Sequence, residues 1–231
     1  MATILITGAN RGLGLEFCKQ YAQENWNVIA CCREPEKATA LTQLANEFPN
    51  VSVLSLDVAD LTKIEQLAKQ LEGIAIDVLL NNAAVYGDES GYGFGNLDYE
   101  QWQKNMLVNV FAPVKMTEVF LPNLQRGEQK KVIAMSSLMG SMTDNGSGGS
   151  ILYRSSKAAL NAAMKSIAID NRHKEIAVLI LHPGWVKTDM GGSNAPMEIP
   201  ESVLKMRETI ANFTIEQSGE FLRFDGLKLP W

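Results

Sequence analysis

The stretch TILITGANRGLG (Thr3–Gly14) joins a short apolar run to a glycine-rich turn, and an amphipathic segment, Leu13–Asn25, follows it. The apolar run predicts a β-strand, and the segment after the turn predicts a helix. The glycines Gly8, Gly12 and Gly14 have the spacing G-x-x-x-G-x-G. Glycine lets a backbone approach a pyrophosphate closely, and a helix N-terminus offers N–H groups with partial positive charge. The stretch therefore predicts a dinucleotide site, with a β–α turn that holds no ligand as the alternative.

The same alternation of apolar runs and helical segments continues along the chain. Short strands that alternate with helices indicate β-α-β units and a parallel sheet covered on both faces. We therefore expect one doubly wound α/β Rossmann domain over residues 1–231. Strands are predicted at Thr3–Thr7, Val28–Cys32, Val51–Leu56, Ile76–Leu80, Lys131–Met135, Ile176–Leu181 and Glu220–Phe224. Helices are predicted at Leu13–Asn25, Glu36–Glu47, Leu61–Leu71, Asp98–Leu124 (one long or broken helix), Ser155–Asn171 and Ser202–Phe213.

Two glycine-rich loops interrupt this alternation, Tyr86–Asn96 and Thr143–Ser150. Each follows a predicted strand. Because ligands bind beyond the carboxyl ends of strands in open α/β sheets, both loops are expected to border the binding site.

Composition excludes several classes of function. The chain has 231 residues, 46% of them hydrophobic, which is enough for one large core. Its formal net charge of −5 argues against a nucleic-acid partner. We expect no membrane span, because no run of about 18 apolar residues occurs. The chain passes from Met1 directly into a predicted strand, so we expect no leader and a cytoplasmic location.

Cysteine and histidine are too few and too scattered for a metal site, and we expect none. The cysteines, Cys18, Cys31 and Cys32, are odd in number and do not form a disulfide framework. They are expected to be buried thiols of a protein in a reducing compartment. The two histidines, His173 and His182, offer no metal-binding spacing and little scope for a histidine-based triad.

The end of the second predicted strand favours one form of the cofactor. An NAD site places an acidic residue there to hold the ribose 2′-hydroxyl, but the sequence continues Cys31-Cys32-Arg33. Arg33 can bind a 2′-phosphate instead, and Arg11 in the glycine turn can supply a second cation. Both arginines being merely solvated is the alternative. The missing carboxylate predicts NADP(H) rather than NAD(H).

The sequence Tyr153-Arg154-Ser155-Ser156-Lys157 places a tyrosine and a lysine four residues apart at the start of a helix. Residues with this spacing share one helix face. A nearby ammonium favours the phenolate and lowers the pKa of a tyrosine, which suits general acid–base catalysis. The motif is short enough to arise by chance, so its context matters.

That context comes from two strand ends. Ser136 and Ser137 follow the fifth predicted strand, where a hydroxyl can bond a substrate oxygen. The turn Asn81-Asn82-Ala83-Ala84 follows the fourth, where amides can contact a cofactor. In each case the alternative is a polar turn that satisfies its own backbone.

Taken in order, these motifs and the segment Pro183-Gly184-Trp185-Val186-Lys187-Thr188 resemble the short-chain dehydrogenase/reductase family. The resemblance covers nearly the whole chain. It extends to the carbonyl-reductase-like group related to the sniffer and C-signal (C-factor) proteins, supported by Gly219–Gly226 and Leu229–Trp231. The resemblance implies a seven-stranded parallel sheet of order 3-2-1-4-5-6-7. It also implies an NADP-dependent oxidoreductase acting on carbonyl or alcohol groups, most often as an aldehyde or ketone reductase.

The family also implies roles for individual residues. Tyr153 is expected to be the general acid for reduction, Lys157 to lower its pKa and hold the nicotinamide ribose, and Ser137 to polarise the carbonyl. Asn109, in the helix after the fourth strand, is expected to hold a water in the proton path. The spacing between Ser137 and Tyr153 exceeds the family's usual one, so Ser136 stays an alternative to Ser137.

The implied cofactor contacts include Asp57 near the adenine and Val186 and Thr188 beside the nicotinamide amide. One departure from the family pattern is Ala84, where a glycine is usual. The full implied set is Gly8, Asn10, Arg11, Gly12, Leu13, Gly14, Arg33, Asp57, Val58, Asn82, Ala83, Tyr153, Lys157, Pro183, Gly184, Val186 and Thr188.

The segment Asp189–Glu201 is expected to form a short substrate lid, with Trp185, Met190 and Met197 as apolar walls. Methionines that merely fill core space are an equal alternative. Helices at Trp102–Leu121 and Ser155–Asn171 are apolar on more than one face. Small side chains on the second, Ala158, Ala159, Ala162 and Ala163, favour close packing, so a homodimer or homotetramer is expected.

Two other functions are alternatives to this one. A non-catalytic NADP(H)-binding sensor or signalling protein can use the same fold, but such proteins usually lack the tyrosine or the lysine. A serine hydrolase would need a G-x-S-x-G turn, and the nearest sequence, Gly191–Ala195, lacks the last glycine.

Overall fold

The computed structural model describes residues 1–88 and 93–231 and is built around a seven-stranded sheet. Its order, β3-β2-β1-β4-β5-β6-β7, confirms the prediction. Every adjacent pair of strands is parallel. The strands are Thr3–Thr7 (β1), Asn27–Cys32 (β2), Val51–Ser55 (β3), Val78–Asn81 (β4), Lys131–Met135 (β5), Ala177–His182 (β6) and Phe221–Arg223 (β7).

Helices cover both faces of this sheet. They are Gly12–Gln23 (α1), Thr39–Glu47 (α2), Leu61–Gln70 (α3), Tyr99–Met106 (α4), Ala112–Arg126 (α5), Ile151–Asp170 (α6) and Ile199–Asn212 (α7). Helices α1, α2 and α7 pack on one face, and α3, α5 and α6 pack on the other. Strand β1 contributes side chains to both hydrophobic cores, because Ile4 and Ile6 pack in the first core and Leu5 packs in the second. This double covering explains why the central strands carry apolar side chains on both faces.

Two predicted helices differ from the structure in ways that bear on the site. Of the alternatives for Asp98–Leu124, the broken helix is present, with a π-helical turn at Leu107–Phe111 between α4 and α5. The predicted start of α6 at Ser155 is wrong, because the helix begins at Ile151. Tyr153 therefore lies within the first turn of α6.

Three other boundaries also differ. The helix predicted from Glu36 begins at Thr39, because Pro35–Lys37 form a separate 3-10 turn. Strand β4 begins at Val78 rather than Ile76. Helix α7 begins at Ile199, with Pro200 in its first turn, so the predicted lid overlaps the start of a helix.

The cysteines and the surface add three observations. Cys18, Cys31 and Cys32 are free and buried. Within residues 1–88 and 93–231, no helix has both the length and the apolar character needed to cross a bilayer. The same ranges contain no group of three or more acidic, histidine or cysteine side chains placed to hold a metal ion.

Candidate active site

Helix α6 carries the predicted tyrosine and lysine side by side under the carboxyl edge of the sheet. Tyr153 and Lys157 are both buried, with 7% and 2% of their surface exposed. The Nζ atom of Lys157 lies 5.6 Å from the centre of the Tyr153 ring. It also donates a 2.8 Å hydrogen bond to the carbonyl oxygen of Met135, the last residue of β5. The lysine therefore links α6 to the edge of the sheet.

The two serines after β5 have different surroundings. The Ser137 hydroxyl lies near enough to the Tyr153 phenol to act on its pKa, and it accepts a 3.2 Å bond from the Met139 N–H. Ser136 is buried, and its hydroxyl donates a 2.5 Å bond to Oδ1 of Asn161 on α6. The sequence leaves either serine as the candidate that polarises the carbonyl. In the structure Ser137 lies beside Tyr153, whereas Ser136 is bonded to Asn161 of α6.

Burial controls the titration of this pair. It raises the pKa of Tyr153 to about 12, although the Ser137 hydrogen bond acts in the opposite direction. It lowers the pKa of Lys157 to about 7, because the ammonium is removed from water. Burial sets the net direction of the shift at Tyr153, so the predicted lowering of its pKa by Lys157 stays a prediction.

Asn109 lies in the π-helical turn and is fully buried. Its amide forms a two-way pair with the backbone of Val85, accepting from the N–H at 2.9 Å and donating to the carbonyl at 2.8 Å. It also donates a 2.9 Å bond to the Ser156 hydroxyl on α6. One turn earlier, Asn105 donates to the Tyr86 carbonyl at 2.7 Å. Both asparagines attach the chain after β4 to the helices beside it.

The glycine turn after β1 needs glycine at two points. Gly8 has φ +67, and a Cβ atom there would lie 2.9 Å from Cα of Ala83. A Cβ on Gly14 would lie 2.2 Å from the Gly8 carbonyl oxygen. Asn82 holds the same turn, since its amide donates to the carbonyls of Thr7 and Gly8 at 2.9 and 3.2 Å. The predicted cofactor residue Asn82 thus shapes the glycine turn itself.

The N-terminus of α1 has the properties of an anion site. Among the described residues no side chain caps it, and its first turn contains no acidic residue. Gly12 opens the helix, and a Cβ there would meet only a Thr188 methyl group at 3.7 Å. Free helix N–H groups beside glycine form a site for phosphate. This end of the fold therefore fits the pyrophosphate of a dinucleotide.

The predicted cations lie near this turn but differ in their partners. Arg33 is exposed directly after β2. Arg11 is also exposed, and its guanidinium forms a 2.5 Å ion pair with the carboxylate of Asp189. Sequence reasoning placed Asp189 in the predicted lid but gave it no partner, so this pairing of the glycine turn with the lid was missed.

The remaining predicted cofactor contacts lie along the same edge. Asp57 accepts a 3.0 Å bond from the Ala59 N–H, and Val58 next to it is buried. Asn10 is exposed in the glycine turn, and Leu13 and Ala83 are half-buried. After β6, the Pro183 carbonyl accepts from the Ser202 hydroxyl at 2.7 Å, Gly184 has φ +86, and Val186 is buried.

The predicted apolar walls are more open than expected. Trp185 is 57% exposed and donates from Nε1 to the Gly191 carbonyl, and Met190 is 45% exposed. Met197 is half-buried, and its carbonyl accepts from the Lys187 N–H at 2.9 Å. Thr188 accepts a 3.0 Å bond from the Gly191 N–H. Backbone bonds rather than a packed apolar wall shape this segment.

Sequence analysis missed two residues that touch the first turn of α6. The Asp88 carboxylate accepts bonds from the N–H groups of Leu152 and Tyr153. The Tyr86 hydroxyl pairs with the Ser150 hydroxyl at 2.7 Å, and its ring lies 5.0 Å from that of Tyr153. No local sequence signal marks contacts that span 64 residues or more. In the predicted loop Tyr86–Asn96, residues 89–92 lie outside the described part.

Comparison with known proteins shows what this chain is similar to. The model of the short chain dehydrogenase family matches residues 2–199. C-signal of Myxococcus xanthus is 40% identical over 156 residues, which make up 68% of this chain and 93% of C-signal. The structure of the carbonyl reductase Sniffer of D. melanogaster is 34% identical, with a TM-score of 0.92 and coverage of 100% of both chains.

A second solved structure extends the likeness. The NADPH-bound carbonyl reductase from chicken fatty liver is 32% identical, with a TM-score of 0.92, and the match covers 100% of this chain and 99% of that one. The family model spans well over half of the sequence, and full-length structural relatives share the same fold. On these grounds, the chain belongs to the short-chain dehydrogenase family.

Proposed function

We propose that this protein is an NADP(H)-dependent carbonyl reductase that converts an aldehyde or ketone to the alcohol. The observation that carries the proposal is the meeting of Ser137, Tyr153 and Lys157 beside a glycine turn that fits a dinucleotide. Similarity to two carbonyl reductases over essentially their whole length supports the same reaction.

Each of these side chains has a task that follows from its position. The Tyr153 hydroxyl donates its proton to the substrate oxygen, and the neighbouring Ser137 hydroxyl orients that oxygen. Lys157 holds the nicotinamide ribose and, with Asn109, forms the proton path to Tyr153. When bound, NADPH supplies the hydride that goes to the carbonyl carbon.

The cofactor would lie along the carboxyl edge of the sheet. The N-terminus of α1 would hold the pyrophosphate, because its N–H groups have no side-chain cap among the described residues. Arg33 would bind the 2′-phosphate from its exposed position after β2. Arg11 would add to this only after leaving Asp189. Asp57 and Val58 would face the adenine, and the segment Pro183–Thr188 the nicotinamide.

A cofactor and substrate panel tests the proposal. The purified protein is given NADPH or NADH with aldehydes, ketones and quinones, and cofactor oxidation and alcohol formation are both measured. We expect equal amounts of NADP and alcohol, with a higher kcat/KM for NADPH than for NADH. Tight NADPH binding without turnover of any carbonyl would instead favour the sensor function. A preference for NADH would contradict the role of Arg33.

We also propose that residues 1–231 form one domain with a short lid at about 189–201, acting in the cytoplasm on a small molecule. We further propose a homodimer or homotetramer that pairs the apolar helices α5 and α6. Exposed apolar side chains on and before these helices, such as Ile169 and Phe111, support this pairing. Light scattering is expected to give a mass of two or four chains, and a monomeric mass would contradict the proposal.

A further inference from the structure

The first turn of α6 lacks the N-cap that its own sequence would supply. Ser150 precedes the helix with φ 45 and ψ 47, a left-handed conformation outside the extended region typical of capping residues. Its hydroxyl bonds to Tyr86 and caps no N–H of the helix. The N–H groups of this turn therefore need an acceptor from elsewhere.

Asp88 supplies that acceptor from a distant part of the chain. One carboxylate oxygen accepts from the Tyr153 N–H at 2.8 Å, and the other accepts from the Leu152 N–H at 3.2 Å. These are the second and third residues of the helix, whose N–H groups an N-cap side chain normally binds. The negative charge also lies at the positive end of the helix dipole.

The cap acts on the residue that carries the chemistry. Tyr153 is held through its own N–H by Asp88, while its carbonyl accepts a 2.8 Å bond from the Ser156 hydroxyl. Ser156 in turn accepts from Asn109, which is paired with Val85. The segment Val85–Asp88, which we name the β4 strap, therefore fixes the tyrosine backbone from two directions.

From this geometry we propose that Asp88 is a positioning residue for Tyr153. The inference rests on the proposed reductase function and goes beyond it. Both Asp88 oxygens accept bonds from backbone N–H groups of α6, so its role here is to hold the backbone. It acts by keeping the phenol in line with Ser137, and small displacements of a reacting group cost large factors in rate.

Two variants separate positioning from general stabilisation. Asp88→Ala removes the acceptor, whereas Asp88→Asn keeps one acceptor oxygen without the charge. We expect kcat to fall about tenfold in Asp88→Ala and only about two- to threefold in Asp88→Asn, with a nearly unchanged KM for NADPH. Hydrogen exchange is expected to speed up at the amides of the first turn of α6.

Asp60→Ala is the matched control, because Asp60 caps α3 through the N–H groups of Thr62 and Lys63. It should lower thermal stability by a similar amount and leave kcat unchanged. Unaltered kcat in Asp88→Ala, or an equal loss of kcat in Asp60→Ala, would overturn the proposal. If Asp88→Ala does not fold, a wild-type kcat and exchange rate in Asp88→Asn would overturn it.

Failure of the proposed function gives a different result. A wild-type protein that reduces no carbonyl would refute the reductase assignment. The exchange measurement would then still decide whether Asp88 orders the turn that carries Tyr153, since it needs no substrate.

Discussion

Around Tyr153 the polar side chains are buried or half-buried and hydrogen-bonded, whereas Arg11, Arg33 and Asp189 at the proposed phosphate end are exposed. The two ends of the proposed site thus depend on different physical properties, which are close packing at Tyr153 and charge at the arginines. Proton transfer needs donor and acceptor held closely in place, and packed helices can do that. Recognition of a phosphate uses charge, which acts over several ångströms and tolerates mobile side chains. Mutations at the reaction end should therefore change kcat, and those at the phosphate end should change affinity.

The largest effect is expected for Tyr153→Phe. Loss of the proton donor should reduce kcat about 100- to 10,000-fold, while the Kd for NADPH changes little. Stopped-flow reduction and fluorescence titration measure the two quantities. Tyr99→Phe is the control, because Tyr99 is 66% exposed and lies outside the proposed site. Turnover by Tyr153→Phe at the wild-type rate would refute its assignment as the acid.

A smaller effect is expected at the phosphate end for Arg33→Ala. The Kd for NADPH should rise about tenfold, because charge-assisted bonds to the 2′-phosphate are lost, while the Kd for NADH stays nearly constant. Arg126→Ala gives the same change of charge on an exposed residue at the opposite end of the sheet. Equal loss of affinity for both cofactors would show that Arg33 does not read the 2′-phosphate.

The smallest effect concerns the ion pair between Arg11 and Asp189. Asp189→Asn should free the arginine and lower the Kd for NADPH about twofold, because exposed ion pairs contribute little. The gain should shrink at high salt, since screening weakens every charge at this exposed end. Asp170→Asn, another exposed acid, controls for net charge. A weaker affinity in Asp189→Asn would mean that the pair helps to hold the cofactor.

Sequence reasoning succeeded where the structure depends on local spacing. The period of apolar residues predicted the strands, and the strand order 3-2-1-4-5-6-7 followed from the family resemblance. Lys157 lies one helical turn after Tyr153, so the closeness of these two side chains could be predicted from spacing alone. The glycine turn could also be predicted, because Gly8 and Gly12 have positive φ and Gly14 lies against the Gly8 carbonyl, which are local features of the turn.

Prediction failed where an interaction joins distant parts of the chain. The start of α6 was placed four residues too late, because the cap comes from Asp88 and not from the residue before the helix. The Arg11–Asp189 pair spans 178 residues and has no local signature. The pKa of Tyr153 depends on burial, which spacing does not reveal. The role of Asn105 could have been predicted from the sequence, since it lies one helical turn before Asn109 on the same helical stretch.

The buried amine of Lys157 has a consequence for the stability of the whole protein. In the unfolded chain lysine titrates near its ordinary pKa of about 10.4, but in the folded chain this amine titrates near 7. Between these values the unfolded chain binds more protons, so the contribution of Lys157 to the free energy of unfolding becomes more favourable as the solution becomes more alkaline. A domain optimised only for resistance to denaturation would place methionine here. The buried amine therefore lowers stability at a position that belongs to the proposed proton path.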